Sequence, residues 1–289
     1  MKILNLSGFL HTYRPTAVLR ITGADAFSFL QGQFTQDLRP CAQGGVVVYG
    51  LWLNQKGRVL ADSWVVQRAD AWFCFSVFSE ASVIRERLER FVIADDVVVE
   101  DVTALWAGRA YFGEKPPEVD AGFVLPGRRA AVASWEWVYP LGEDRAAVKE
   151  VAQPLSEAEL EWLRIEAGLP SVPRDIGPGD LPNEGGLERE AISYTKGCYL
   201  GQEVMARLKT LGQVRRRLLR VRGTVAAPSV LPAPLFADGK KVGELRSAVA
   251  VAEGFRGLAM ISLPGIAGRR LLGVSPDGPA DSVQFDVSL

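Results

Sequence analysis

Three apolar runs follow one another between residues 46 and 78: VVVYGLWL, GRVLADSWVVQ and AWFCFSVF. The first two meet at the turn NQKG, and a polar break at Arg68–Asp70 precedes the third. Runs joined by so few residues predict an antiparallel meander. Helical periodicity lies on either side of it. AVLRI at 17–21 alternates as a strand, and DAFSFLQGQFTQDL then repeats Phe27, Leu30, Phe34 and Leu38 at helical spacing. After the meander, Ser79 is placed to cap a helix with Val83, Ile84, Leu88, Phe91 and Val92 on one face.

Farther along, Ser156 and Glu159 have the spacing of a capping box that opens SEAELEWLRIEAG. Leu160, Leu163 and Ala167 would face inward there, and Gly168 and Pro170 stop the helix. Residues 97–150 read as short strands with a GRR turn and no legible chemistry. The segment LPSVPRDIGPGDLPNEGG carries no periodicity, and loops of that length are usually functional or mobile. From about Val214 the sequence changes to short strands and turns, including the hairpin signal ADGKKVG, which predicts a small antiparallel barrel. The expected class is α+β followed by a β-barrel.

Composition narrows the chemistry. A formal net charge of -1 offers no global field for nucleic acid or anionic membrane. No apolar run is long enough to span a bilayer, and the N-terminus lacks a secretory signal. Three cysteines, at 41, 74 and 198, do not make a disulfide framework, so a reducing cytoplasm is expected. His11 is the single histidine, which excludes multi-histidine metal sites and reads as a surface or packing residue. No metal site is expected.

The octapeptide KGCYLGQE, Lys196–Glu203, concentrates what chemistry remains. Gly197 and Gly201 would let backbone approach a ligand or turn sharply. Lys196, Gln202 and Glu203 crowd donors and acceptors around one thiol. If Tyr199 or Gly201 opens the following helix, Cys198 lies at a helix N-terminus beside a cation, two features that favour thiolate. Cys74, inside WFCFSVF, reads as a core residue, and Cys41 as an incidental loop residue. The stretch from Arg207 to Arg222 holds seven Lys/Arg and no acid. It could be a solvated strand face, a contact for the polyanionic tail of a small ligand, or an RNA contact, the last of these not expected.

KGCYLGQE, preceded by RIEAGLP at 164–170 and LPNEGGL at 181–187, resembles the YgfZ branch of the YgfZ/GcvT folate-binding family. ITGADAFSFLQGQFTQDL at 21–38 and NQKGRVLADSWVV at 54–66 agree with that resemblance. It implies a ring-like aminomethyltransferase fold across 1–213, with 49–150 as an insertion between two α+β parts, and a barrel over 214–289. It also implies a pocket for tetrahydrofolate or a derivative, and a role in assembling or repairing iron–sulfur clusters and, through them, in tRNA modification. Glu166 matches the acid that binds the pterin, whose adjacent N–H donors one carboxylate can accept. Lys196, Gly197, Tyr199, Gly201, Gln202, Glu203 and Arg207 complete the expected cofactor contacts, with Cys198 as the chemical group.

The aminomethyltransferases carry paired acids where this chain has Ala61–Asp62. The alternative is therefore a folate-dependent aminomethyl- or methyltransferase using Asp62. One reactive cysteine and one histidine cannot complete a four-ligand cluster site, so any transient iron–sulfur cluster would be shared with a partner protein, a second copy or a small thiol. Covalent or redox chemistry between Cys198 and the folate is the other option.

Overall fold

The computed structural model describes residues 9–116, 121–143, 153–278 and 282–286. The meander forms as expected: Val47–Leu53, Val59–Arg68 and Ala71–Ser76 are successive antiparallel strands, and Ala17–Thr22 and Val98–Asp101 extend the same sheet. Asn54 builds the first turn, its Oδ1 accepting from the backbone N–H groups of Lys56 and Arg58. The strands are apolar almost throughout because both faces are covered. One face, with Leu19, Ile21, Val65 and Cys74, packs on Leu30 and on Ile84 and Leu88 of two helices, Ala26–Gln33 and Ala81–Glu89. The other, with Val18, Trp64, Val66 and Phe75, packs on Trp106, Phe123, Leu125 and Val138 of a second sheet.

The second sheet runs in the order Gln153–Pro154, Phe9–Tyr13, Trp106–Phe112, Ser134–Pro140, Phe123–Pro126. Residues 49–150, expected as one insertion, are therefore divided between two sheets, and each sheet also takes a strand from the first 22 residues. The helix Glu157–Glu166 carries the full capping box of Ser156 and Glu159, buries Leu160 and Leu163, and is followed by Gly168 at φ +67°. Ala167 stands only half-buried past its end.

The barrel is a six-stranded antiparallel sheet from Arg216 to Phe285, nearly closed by a bridge between Phe236 and Gly273. Asp238 and Gly239, both at positive φ, make its hairpin turn. Leu219, Val221, Leu245, Phe255 and Ile261 fill its interior. Leu218, Leu258 and Met260 face outward and dock on Leu51, Leu53, Ile165, Val172 and Tyr199 of the preceding part.

Several local expectations are corrected. Phe27 and Val83, placed inward by helical spacing, are 37% and 42% exposed. The first helix stops at Gln33, yet Phe34 and Leu38 beyond it are fully buried. Cys41 is no loop residue but a buried member of a short helix, Arg39–Ala42. The long Pro/Gly-rich segment is held by buried acids. Asp175 accepts from Arg164 Nη1 at 2.6 Å, and Asp180 and Glu184 accept from Arg216 at 3.0 and 2.9 Å. It acts as a strap between the barrel and the rest. No helix among the described residues is long and apolar enough to cross a membrane.

Candidate functional site

Lys196 explains how the octapeptide is fixed. Its Nζ donates to the backbone carbonyls of Gln31, Phe34 and Gln36 at 2.7, 2.7 and 2.9 Å. These carbonyls lie at and beyond the C-terminal end of the helix Ala26–Gln33, where acceptors lack helical partners and a positive charge is favoured. Arg87 serves the same end through the carbonyl of Gln33, at 3.1 Å. Burial pushes the Lys196 ammonium down to about 8. An ammonium has three donors, and all three are engaged. Its donors thus anchor the loop.

The glycines divide in the same way. Gly201 has φ +91°, and a Cβ there would sit 2.9 Å from the Asn54 carbonyl oxygen, against the meander's first turn. Gly197 has no such neighbour, since a Cβ would meet nothing within 4 Å. Tyr199 is buried in the core shared with the barrel, which raises its hydroxyl's pKa, and its hydroxyl has no hydrogen-bond partner among the described residues. Gly201 caps the helix Gln202–Leu211, whose first turn carries Glu203 and whose exposed face carries Arg207.

Cys198 lies between these anchors. It is exposed, whereas Cys41 and Cys74 are fully buried. Burial pushes the Cys41 thiol up to about 11 and Cys74 higher still. The helix begins at Gln202, so Cys198 precedes its first turn, and Lys196 is committed to carbonyls. What distinguishes Cys198 is accessibility on a fixed loop, in place of the two activating neighbours expected from sequence.

Asp62 is built differently. Its Oδ1 accepts from the hydroxyls of Ser79 at 2.6 Å and Ser76 at 3.2 Å, and its Oδ2 from Tyr49 at 2.8 Å. Ser79 therefore serves Asp62 instead of capping the next helix, whose N-cap is Glu80 without a side-chain bond. Arg128 donates to the Tyr49 hydroxyl at 2.7 Å, lies 4.2 Å over the Tyr49 ring and pairs with Glu190. Burial raises the Asp62 pKa, and the hydroxyl donors and Arg128 offset only part of the rise. The space beside the carboxylate, walled by Trp64, Phe78, Arg128 and Pro170, is about 10 Å³. That is room for one water. Arg128 and Arg129 come from the GRR turn, where sequence shows no chemistry. Paired arginines between apolar strands are the one signal that could have flagged it.

Glu166 ends its helix facing the barrel. Its Oε1 pairs with Arg256 Nε at 3.2 Å and its backbone carbonyl accepts from Arg220 at 2.8 Å. It lines a groove of about 500 Å³ with Arg220, Arg222, Arg256 and Arg270. Neither Asp62 nor any octapeptide residue lines that groove. The structure thus holds three separate places: the Cys198 loop, the closed Asp62 pocket and the Glu166 groove. Among the described residues no group of His, Cys, Asp and Glu is placed to hold a metal ion.

Two packed sheets, antiparallel except for the parallel pair of Phe9–Tyr13 with Gln153–Pro154, followed by a small docked barrel define the class, the aminomethyltransferase fold. The chain superposes on glycine cleavage system aminomethyltransferase T from Bartonella henselae with a TM-score of 0.76, covering 98% of this chain and 86% of that one at 15% identity. Residues 215–282 match the family described as CAF17, C-terminal beta-barrel domain. The chain is 28% identical to the tRNA-modifying protein YgfZ of Edwardsiella ictaluri, over 92% of its own length and 84% of the relative's. It is 30% identical to the human mitochondrial iron–sulfur cluster assembly factor IBA57, over 84% of this chain and 74% of that one. The chain belongs to the YgfZ/IBA57 family.

Proposed function

We propose that this chain is a folate-binding accessory protein that supports assembly or repair of iron–sulfur clusters and, through them, tRNA modification, with Cys198 as its chemical group. The observation that carries this reading is the contrast among thiols: Cys198 is exposed on a loop anchored by Lys196 and Gly201, and the other two are sealed in the core. A thiolate is a good iron ligand, but one thiol is one ligand. The remaining ligands of any cluster handled here come from a client protein, a second copy or a small thiol.

The Glu166 groove suits a folate. The Glu166 side chain pairs with Arg256 through Oε1 yet is 38% exposed, which leaves the carboxylate accessible to the donor edge of a pterin, while the neighbouring arginines suit a folate's carboxylates. Tetrahydrofolate, when bound, would supply a carrier for a one-carbon unit. The transferase alternative through Asp62 has less support, because both carboxylate oxygens are occupied and only a water-sized space adjoins them.

Equilibrium binding of tetrahydrofolate, followed by tryptophan fluorescence, tests the folate part. Glu166→Ala is expected to weaken binding by roughly ten- to a hundredfold, the loss of a charge-assisted hydrogen bond, and Cys198→Ala to leave it unchanged. Absence of binding by the folded wild type removes folate from the account.

A further inference from the structure

A second groove, of about 500 Å³, shares no residue with the Glu166 groove. The turn after Val47–Leu53, the helix Ala81–Glu89 and Leu200 of the octapeptide line it. Leu53, Leu60, Val83, Phe91 and Leu200 give it apolar surface, and Val83 is 42% exposed. Leu200 donates its backbone N–H to the Gly32 carbonyl at 3.1 Å, and Arg87 holds the next carbonyl, that of Gln33. Groove and loop are thus fixed to one end of the helix Ala26–Gln33. Cys198 stands two residues from Leu200, a span of at most about 7 Å along the backbone.

Charge in this groove is unbalanced. Arg87 is only 5% exposed, yet it bonds neutral acceptors alone: the Leu53 carbonyl at 3.0 Å, and the side-chain and backbone oxygens of Gln33 at 2.9 and 3.1 Å. Three of its five N–H donors are used, and no carboxylate pairs with it among the described residues. A buried guanidinium ordinarily has a counter-charge. Lys56 is exposed, and its ammonium meets no acid among the described residues. Arg90 reaches Glu86 only at 4.0 Å, with both side chains exposed. We propose that the groove docks an acidic segment of a partner protein, studded with apolar side chains, which brings the partner's own ligand to Cys198. Its carboxylates meet Arg87, Lys56 and Arg90, and its apolar side chains cover Val83, Phe91 and Leu200. The inference rests on the reading of Cys198 as a thiol whose site a partner completes. A second copy docked by the same patch would set these cations against themselves. Nucleic acid gains its affinity from many phosphates and little from an aliphatic floor.

The test uses Cys198 as a handle. Peptides carrying one cysteine as a mixed disulfide with cysteamine are equilibrated with the native full chain in a fixed excess of 2-mercaptoethanol. The Cys198 thiolate displaces cysteamine from the peptide sulfur, so one disulfide replaces another with no net oxidation. Intact-mass spectrometry then compares adducts of peptides that alternate Glu with Leu, Lys with Leu, and Glu with Ser. The Glu/Leu adduct should be favoured over both others by about tenfold or more. Lys56→Glu/Arg90→Glu, at two exposed positions, should abolish that preference and raise the Lys/Leu adduct, and Val83→Ser should lower the Glu/Leu adduct severalfold. The proposal is overturned if the three peptides label alike or not at all, or if charge reversal changes nothing. It is also overturned if a single-stranded oligoribonucleotide suppresses the Glu/Leu adduct at lower concentration than the free peptide does, or if sedimentation shows a dimer that Val83→Ser dissolves. Uniform labelling would dismiss the groove and leave the role of Cys198 intact. Selective labelling, with full function retained by Cys198→Ser in cells, would keep the groove and dismiss the thiol's role.

Discussion

Cys198 and Asp62 are the two groups to which sequence assigns chemistry, and the fold treats them in opposite ways. Around Cys198 the backbone is held tightly while the thiol stays open: Lys196 fills three carbonyls, Gly201 fits against Asn54, and the sulfur is exposed. Around Asp62 the reactive atoms themselves are held, by Tyr49, Ser76 and Ser79, in a pocket with space for one water. A side chain becomes available for chemistry when its neighbours fix the backbone and leave the functional atoms free. By that criterion the Cys198 thiol is accessible and the Asp62 carboxylate is enclosed.

The sharpest way to break this comparison is thiol labelling of the native protein. Cys198 should react more than about a hundredfold faster than Cys41 or Cys74, since buried thiols wait for openings that cost several kcal/mol. Comparable rates for all three would erase the contrast. Lys196→Met comes next. It removes the donors of three carbonyls at a buried position and should cost about 3 kcal/mol in chemical denaturation. It should also slow nothing at the exposed sulfur except through a displaced loop. A neutral result would mean that the loop holds itself.

Asp62→Asn gives the smallest effect, seen in the pH dependence of stability. Because burial raises the folded-state pKa of Asp62, the folded protein keeps this proton where the unfolded chain has lost it. The corresponding stability is present below the ordinary carboxylate pKa and declines as pH rises through the raised value. An amide in place of the carboxyl cannot titrate, so the variant's stability should be flatter across that window, as urea midpoints at several pH values would show. An unchanged slope would place Asp62 in a more solvated setting.

Local pattern made the meander, the Ser156–Glu159 box and the barrel legible, because each is set by periodicity or turn chemistry within a few residues. The octapeptide was legible too, as polar side chains gathered around one thiol. What was hidden depends on distant segments. Lys196 reads as a cation beside a thiol until the carbonyls of residues 31–36 fold beneath it. Ser79 reads as a cap until the strand bearing Asp62 lies alongside. Arg128 gains meaning only when the two sheets pack and bring it to Tyr49. Phe27 and Val83 obey helical spacing, but short helices on a sheet bury a narrow stripe and leave the flanks exposed.

The most direct test of the central claim is restoration of iron–sulfur enzyme activity in a bacterial strain lacking its own member of this family. The wild-type chain should restore it. Cys198→Ser, melting within about 2 °C of wild type because the position is exposed, should not. Full restoration by the serine variant at equal abundance would contradict a role for this thiol and leave the fold's work to its grooves.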